Sequence, residues 1–257
     1  MTLAEQYIAF MTIVRKEIKR YLRIWLQTLL PSAITMSLYF VIFGKLIGSR
    51  IGDMGGFTYM QFVVPGLIMM AIVTNSYSNV VSSFFGSKFN SSVEELLVSP
   101  TPNYVILLGY VVGGISRGML VAAVVTIVSL FFTHLDIHSY FVVIVVALMT
   151  STLFALAGFI NAVFANNFDD ISIIPTFVLT PLIYLGGVFY SMDLLPDFWA
   201  GVSKLNPLVY VVNAFRYGVL GVSDVSLPFA FGMIGLFTVL AFCFSLHLLN
   251  SGKRLRQ

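Results

Sequence analysis

Six long stretches of this chain are apolar and nearly free of charged residues, and each is long enough to cross a lipid bilayer. A membrane-spanning helix needs about 20 such residues, because the hydrocarbon core is about 30 Å thick and a helix rises about 1.5 Å per residue. Only 10% of the 257 residues are charged, against about 25% in an ordinary soluble domain. The predicted spans lie near residues 26–47, 57–85, 103–132, 139–165, 171–192 and 228–250.

These spans predict an all-α membrane protein with six transmembrane helices in a single domain over residues 1–257. A soluble helical core is the alternative, but it needs polar faces with a period of about 3.6 residues, and runs such as 141–164 have none. The predicted segments are an interface helix (1–25), spans 1 and 2 (26–86), a short cytoplasmic helix (87–102), spans 3 to 5 (103–192), a re-entrant outer segment (193–227), and span 6 with a basic tail (228–257).

The segment after the fifth predicted span is expected to dip into the membrane and return on the same side. Its apolar piece, residues 208–215, is too short to span and is bounded by Pro207 and Arg216. Irregular backbone at membrane depth is tolerated only where protein or water surrounds it. The segment therefore marks a place where a transport route can open.

Basic residues precede the first span and follow the last, and they predict that both termini are cytoplasmic. Short cytoplasmic loops carry an excess of Lys and Arg, which here fall at residues 15–23 and at Lys253, Arg254 and Arg256. Between residues 5 and 25 the apolar side chains largely share one helical face, which predicts an amphipathic helix in the membrane surface. A basic flank that only orients the first span is the alternative. The cations assigned to the interface helix are Arg15, Lys19 and Arg20.

A short cytoplasmic helix is predicted between the second and third spans. Ser92 and Glu95 have the S-x-x-E spacing of a capping box, and Pro100 and Pro102 end the helix after about two turns. Glu94 lies in the first turn, where the helix dipole favours acids. A capped loop without a further role is the alternative, but we favour a partner surface, because the packing of a membrane protein does not require such a helix.

The sequence contains no G-x-x-x-x-G-K-[ST] loop for gripping ATP. The spans are also almost free of acids, whereas transport driven by an ion gradient usually requires ionisable groups along the spans. If the chain performs active transport, we therefore expect the energy to come from a separate ATPase that pushes on the cytoplasmic face. The basic cluster adjoins a membrane span and has no aromatic platform for bases, so nucleic acid is not an expected partner.

Residues spread over the whole chain resemble type-2 ABC exporter permeases. The E-x-L-L-x-x-P element at residues 94–100 is similar to the coupling helix of that family, and Gly109 to Gly118 open the third span. The positions that match the family signature around the re-entrant segment include Gly186, Pro196, Pro207, Tyr210 and Arg216.

The resemblance implies a half-transporter that pairs with a second copy, contacts membrane lipids and exports a lipid-like, glycan or drug-like molecule across a bacterial inner membrane. Each copy is expected to dock through its coupling helix on a separately encoded ATPase subunit. Two copies of that subunit bind ATP and Mg²⁺, so this chain needs no cofactor of its own. The residues assigned to ATPase coupling are Ser92, Glu94, Glu95, Leu96, Leu97 and Pro100.

Polar side chains inside the spans are candidates either for helix-to-helix hydrogen bonds or for the lining of a transport route, and the sequence leaves both open. The resemblance implies that the second and fifth spans line the route, which favours the second interpretation. The candidate pathway residues are Asn75, Tyr77, Asn79, Thr180 and Tyr184.

Arg117 lies inside the third predicted span, where an unpaired charge costs between about 2.5 and 17 kcal/mol. We therefore expect an answering group nearby. Gly109, Gly113, Gly114 and Gly118 have small-xxx-small spacing, which lets another helix approach closely and offer such a group. A structural tether and a role in coupling both stay open.

Two polar clusters are considered for catalysis or metal binding, and neither is expected to have that role. Asp169 and Asp170 do not face one another on a helix, and a role at a helix N-terminus is sufficient for them. His134, Asp136 and His138 lie in a short outer loop that lacks a third firm ligand. The alternative functions are an intramembrane enzyme, which lacks H-E-x-x-H and G-x-S-x-G motifs, and a passive channel, which gives the cytoplasmic helix no role.

Overall fold

A computed structural model describes residues 1–252, apart from the side chains of Lys45, Ser49 and Asp193. The basic tail that contributed to the predicted orientation, Lys253, Arg254 and Arg256, lies outside the described residues. Helix α1 (Leu3–Arg23) begins with a capping box in which the Thr2 hydroxyl and the Glu5 carboxylate accept each other's backbone N–H groups. Only Ile24 separates α1 from α2 (Trp25–Tyr39), so the interface helix leads directly into the first span.

The first span does not end with α2. It continues through a π-helical stretch, Phe40–Ile47, and one further turn, α3 (Gly48–Ile51). A β-hairpin follows, formed by β1 (Asp53–Met54) and β2 (Phe57–Thr58). Gly55 and Gly56 connect the two strands with φ angles of 61° and 84°, as a type I′ turn requires. The prediction of an all-α fold is therefore wrong at this hairpin, and the second span begins two residues later than predicted.

The next three long helices agree closely with the predicted spans. They are α4 (Tyr59–Phe89), α6 (Asn103–Leu130) and α7 (Tyr140–Phe164), and the short α5 (Ser92–Val98) lies between the first two. Thr58 caps α4 by a second capping box with Gln61. In the most apolar stretch of α4, 78% of the residues are buried, against 17% in the first span. Helix α4 is therefore the central helix of the bundle.

The fifth predicted span, residues 171–192, is shorter than expected. It consists of α8 (Asp170–Ile174), a π-helical turn (Pro175–Leu179) and α9 (Thr180–Tyr184). Each piece has five residues, so the helix is about 22 Å long. It stops because the chain turns at Gly187, whose φ of 74° is left-handed. Among the described residues, five helices are long and apolar enough to cross a membrane, not six.

The remaining chain forms a helical hairpin and a last long helix. A 3₁₀ turn (Met192–Leu194) leads to α10 (Asp197–Lys204), α11 (Pro207–Leu220) and α12 (Leu227–Ser251). The hairpin enters and returns at the same end of the bundle, because the Met192 N–H donates to the Asp224 carboxylate at 2.8 Å. At its tip the buried Asn206 donates its side-chain amide to the Leu182 carbonyl at 2.7 Å, while the neighbouring Leu205 is 84% exposed. The hairpin falls within the predicted re-entrant segment, and its entry into a bilayer stays a prediction.

The start of α1, the start of α6 and the end of α12 meet at one end of the bundle. The Tyr104 hydroxyl donates to Gln6 at 2.6 Å, and the Asn103 amide donates to Asn250 at 2.8 Å. Helix α5 immediately precedes this end of α6. The N-terminal helix, α5 and the end of the last helix therefore share one side, as the prediction of two cytoplasmic termini requires.

Candidate functional site

Helix α5 is a short helix that follows the end of α4 and has one buried and one exposed side. Val93 is buried, and Leu96 and Leu97 pack partly buried against the core. On the opposite side Glu94 and Glu95 are exposed, and Val98 is 88% exposed. One side of the helix thus fixes it to the membrane domain, and the other presents two carboxylates and an apolar side chain.

Helix α5 has about two turns, as predicted, and lies inside the predicted segment 87–102, but the predicted capping box is wrong. The N-cap residue is Ser91, whose φ of 58° is left-handed, and in the described chain no side chain caps the helix start. Ser92 is already inside the helix, and its hydroxyl donates to the Ser87 carbonyl at 3.0 Å. Ser92 therefore ties α5 back to α4, which leaves the Glu95 side chain exposed to solvent.

Lys88 joins the last turn of α4 to the end of α7. The side chain is buried, and its Nζ donates to the carbonyls of Val163 at 2.9 Å and Ala165 at 2.7 Å. The Phe168 ring packs beside the rings of Phe85 and Phe89, with ring centroids 5.0 Å apart in both cases. The base of α5 is thereby fixed to the turn that leads into α8.

Asp170, the second of the two adjacent acids, has a structural use at the start of α8. The Asp170 carboxylate accepts the Asn166 N–H at 2.8 Å, and the Asn167 side chain accepts the Asp170 N–H at 2.8 Å. These bonds close the turn between α7 and α8. Asp170 thus lies in the first helical turn, where sequence reasoning had placed it.

Helix α1 packs along the first half of α6 through two of the predicted glycines. A Cβ atom on Gly109 would lie 2.6 Å from Ile13, and one on Gly113 would lie 2.6 Å from the Cβ of Glu17. The other two glycines, Gly114 and Gly118, face α4 and α7 instead. The glycines therefore allow α1, α4 and α7 to approach α6 closely, as their spacing predicted.

The buried face of α1 carries an acid that sequence reasoning missed. Glu17 is fully buried, and its carboxylate accepts hydrogen bonds from the Ser83 hydroxyl at 2.6 Å and from Arg20 at 3.3 Å. Arg20 also donates to the backbone carbonyl and the side-chain oxygen of Asn79, both at 2.9 Å. Arg15 and Lys19 are exposed, as expected for the polar face. The i, i+3 spacing of Glu17 and Arg20 was the only signal for this pair.

Arg117 lies beside the end of α1, one residue after Ser116, which accepts the Tyr21 hydroxyl at 3.2 Å. The half-buried Arg117 interacts electrostatically with Arg20 and Tyr21. Its Nε is buried and has no hydrogen-bond partner within residues 1–252. Helix α1 is therefore the neighbouring helix that the glycine spacing predicted, but the described residues offer no acceptor for the Arg117 Nε.

Arg216, one of the signature residues, lies at the centre of a buried network beside the hairpin. Arg216 is fully buried, donates to the Gly187 carbonyl and stacks on Phe62, with its guanidinium carbon 3.9 Å from the ring centre. The Asn213 side chain accepts hydrogen bonds from Arg216 at 3.5 Å and from the Asp224 N–H at 3.0 Å. Arg216 thus joins the end of α9 to α11. Sequence reasoning missed Asn213 and Asp224.

The other signature residues shape the same turns. A Cβ on Gly186 would lie 3.0 Å from the Leu208 Cβ, so glycine permits the close approach of α9 and α11. The Tyr210 hydroxyl donates to the Lys204 carbonyl at 2.5 Å. Pro196 precedes α10 and Pro207 opens α11, where a missing N–H carries no cost. Each signature residue therefore stabilises the hairpin rather than presenting a reactive group.

A family model described as ABC-2 type transporter matches residues 8–220, which include helix α5 and the hairpin. The chain belongs to the ABC-2 type transporter family. It is 57% identical over 251 residues, 98% of each chain, to the inner membrane transport permease YadH of Escherichia coli K12. It is also 25% identical over 223 residues to nodulation protein J of Neorhizobium galegae, covering 86% of this chain and 84% of that protein. Family membership makes the chain the membrane permease of an ABC transporter, a transport subunit and not an enzyme.

The five candidate pathway residues lie in two different environments. Tyr77 and Asn79 are buried inside the subunit, Tyr77 against Gly158 of α7 and Asn79 against Arg20. Asn75 instead lines a cavity of about 200 Å³ between α2 and α4, and its amide lies 3.4 Å from the Ser32 hydroxyl. Asn75 is thus the second-span candidate that borders open space.

The fifth-span candidates lie on an exposed apolar face of the permease. Thr180 is exposed and donates to the Pro175 carbonyl at 2.9 Å. The hydroxyl oxygens of Tyr184 and Tyr39 lie 3.2 Å apart, which joins α9 to α2. The large side chains exposed on α2 and on the fifth helix, residues 170–184, include Leu30, Ile34, Leu38, Ile173, Phe177 and Val178.

The outer histidines are not gathered into a metal site. The His138 ring packs edge-on against Tyr217, with ring centroids 5.4 Å apart, and the backbone N–H of His138 donates to the Val219 carbonyl. In the part of the chain that the structure describes, no group of three or more His, Cys, Asp or Glu side chains is placed to hold a metal ion. His134 and Asp136 are exposed in the same loop.

Proposed function

We propose that this permease is the membrane half of an ATP-driven exporter in a bacterial inner membrane. It works as a pair of identical copies, each bound to a separate ATPase subunit that carries ATP and Mg²⁺. The cargo is a lipid-like, glycan or drug-like molecule. Family membership supports this proposal, and so does the name of a relative of 57% identity, an inner membrane transport permease.

The proposal depends above all on the two-sided structure of helix α5, which we take to be the coupling helix. It is anchored on one side by Val93, Leu96 and Leu97, while Glu94, Glu95 and Val98 face outward. An exposed apolar side chain beside two carboxylates fits a partner that offers an apolar pocket with basic residues at its rim. A passive channel, one of the alternative functions, gives this exposed surface no role.

Movement of α5 has a direct mechanical route to the rest of the permease. Lys88, four residues before Ser92, holds the carbonyls at the end of α7, and Phe168 packs on the last turns of α4. The turn between them leads into α8 and then α9. A push on α5 therefore acts on the short fifth helix without passing through the centre of the bundle.

The apolar face of α2 and α9 is the proposed border of the transport route. Helix α2 and residues 170–184, which the Tyr39–Tyr184 contact joins, both expose large apolar side chains, and large exposed apolar patches mark interaction sites. Two copies that face each other across this surface enclose a path suited to amphiphilic cargo. The hairpin α10–α11, inserted from the outer side, forms the outer cap of that path.

Reconstitution with the ATPase tests the proposal. The permease is co-expressed with a separately encoded ABC ATPase, purified, and incorporated into phosphatidylethanolamine and phosphatidylglycerol vesicles that contain a fluorescent phospholipid probe. We expect a stable complex with two copies of each chain and ATP hydrolysis that depends on the permease. Replacement of the phosphate-binding lysine of the ATPase should abolish probe movement. Equal movement by the permease alone would contradict the proposal.

A further inference from the structure

The junction of α1, α4 and α6 contains buried hydrogen-bond donors that lack acceptors. The Nε atoms of Arg20 and Arg117 and the Nδ2 atom of Asn79 are all buried, and none has a partner among residues 1–252. All three are N–H groups. Because buried polar groups in folded proteins are normally paired, this junction lacks an acceptor and not a donor.

The one acid at this junction is already used. Glu17 accepts from Ser83 with one carboxylate oxygen and from Arg20 with the other. Arg20 is paired with Glu17, and Arg117 adds a second positive charge close enough to interact with Arg20. An added anion beside the two guanidinium groups balances this excess charge.

We propose that Arg20 and Arg117 bind the phosphate of an anionic phospholipid from the cytoplasmic leaflet. A guanidinium group is planar and presents parallel N–H donors that match a phosphate. Arg20 stays accessible, since 30% of its side chain is exposed. The phosphate reaches the pair from the surface of the protein and does not need a closed pocket.

The surroundings favour a lipid over free phosphate. On α1, the exposed cations Lys16, Lys19 and Arg23 raise the local positive charge, and clusters of this kind beside a membrane span attract anionic lipids. Immediately after α1, helix α2 exposes Leu26, Leu30 and Ile34 at spacings of four residues. A phosphate at the arginine pair thus has an apolar stripe beside it, along which an acyl chain can lie.

The arginine pair itself lies apart from α5 and from the Tyr39–Tyr184 contact, although Leu30 and Ile34 of the adjacent stripe also belong to the proposed transport face. The site can therefore be tested without ATP, the ATPase or cargo. The bound lipid joins α1 to α4 and α6 from outside, next to the Glu17 network. The lipid thereby fixes the position of the interface helix at the place where the first span begins.

Native mass spectrometry of the purified permease measures the site directly. The protein is titrated in detergent with phosphatidylglycerol or with phosphatidylcholine of the same acyl chains. We expect one phosphatidylglycerol molecule to bind at least about tenfold more tightly than phosphatidylcholine, because each charge-assisted hydrogen bond contributes roughly that factor. Arg117→Gln should remove this preference, and Arg117→Lys, which keeps the charge, should retain part of it.

Lys16→Gln is the matched control, because it removes the same charge from an exposed position on α1. It should leave the preference for one tightly bound lipid intact. Thermal unfolding gives a second readout: phosphatidylglycerol should raise the Tm of the wild type and of Lys16→Gln but not of Arg117→Gln. Equal binding of the two lipids to the wild type, or equal losses in the two Gln variants, would overturn the proposal. Stabilisation by inorganic phosphate alone would overturn its assignment to a lipid.

Discussion

Replacement of Lys88 by methionine tests the connection between α5 and the end of α7. Methionine keeps an unbranched apolar stem of similar length but removes the ammonium group. The carbonyls of Val163 and Ala165, which accept from Nζ at 2.9 and 2.7 Å, then lose this donor in a buried site.

The size of the effect follows from these two bonds. A hydrogen bond to a charged group contributes about 1.5–3 kcal/mol, and a buried acceptor left without a donor costs about 1–3 kcal/mol. Burial of the lysine charge offsets part of the gain in the wild type. We therefore expect the turn between α7 and α8 to lose about 2 kcal/mol of local stability, which corresponds to roughly thirtyfold more frequent opening.

Hydrogen–deuterium exchange of the complete permease measures that opening. Deuterium uptake over residues 161–172 should be about thirtyfold faster in Lys88→Met, while uptake in the outer half of α7 stays unchanged. Lys88→Arg, which keeps charge and donors, should restore slow exchange. In the complex with the ATPase, the methionine variant should bind the ATPase normally and hydrolyse ATP with less transport per ATP.

Unchanged exchange over residues 161–172 in Lys88→Met would refute the reasoning, because the two hydrogen bonds would then contribute nothing to the turn. A general increase in exchange over all helices would also contradict it. That result would mean that Lys88 stabilises the whole bundle and not a local connection. Lys19→Met, at an exposed position of α1, controls for the loss of a positive charge.

Two further predictions concern packing and docking. Gly158→Ala places a Cβ 2.5 Å from a backbone carbonyl of α4, which should destabilise the permease by about 1–3 kcal/mol. Gly86→Ala, where no atom lies within 4 Å of the new Cβ, should stabilise α4 by up to about 1 kcal/mol. Thermal unfolding of the two variants measures both effects. Charge reversal of Glu94 and Glu95 to lysine should prevent co-purification of the ATPase, whereas Asp136→Lys at the other end of the bundle should not; equal recovery of the ATPase with both variants would count against docking on α5.

The long helices were predictable because hydropathy reports them directly. A run of about 20 apolar residues has few alternatives in lipid, and the predicted second to fourth spans therefore differ from α4, α6 and α7 by a few residues at most. The small-residue spacing in α6 was equally informative. It predicted that helices approach closely at Gly109 and Gly113, although it did not identify α1 as the partner.

Helix ends were harder to predict because they depend on backbone geometry. The fifth span ends at a left-handed Gly187, and hydropathy continues unchanged through that turn. Ser91 and Ser92 both suit an N-cap, and the choice depended on the left-handed turn at Ser91. Composition does not record either feature.

Buried polar contacts were missed because their partners are distant in sequence. Glu17 pairs with Ser83, Lys88 with Val163, and Arg216 with Gly187. An acid such as Glu17 in a basic amphipathic helix predicts a solvated position, and the approach of α4 and α6 buries it. The predicted exposure of Arg15 and Lys19 needed no such partner, and the structure agrees with it.

Cross-linking from α5 to the ATPase tests the central claim most directly. Cys243 is the only cysteine of the chain, so Cys243→Ala provides a background free of thiols. On this background a cysteine is placed at Val98 on α5 or at Phe131 beyond the far end of α6, positions that are 88% and 84% exposed. With a short thiol-to-amine cross-linker, the account predicts efficient linkage to the ATPase from position 98 and none from position 131. Equal linkage from both positions, or linkage from 131 alone, would contradict it.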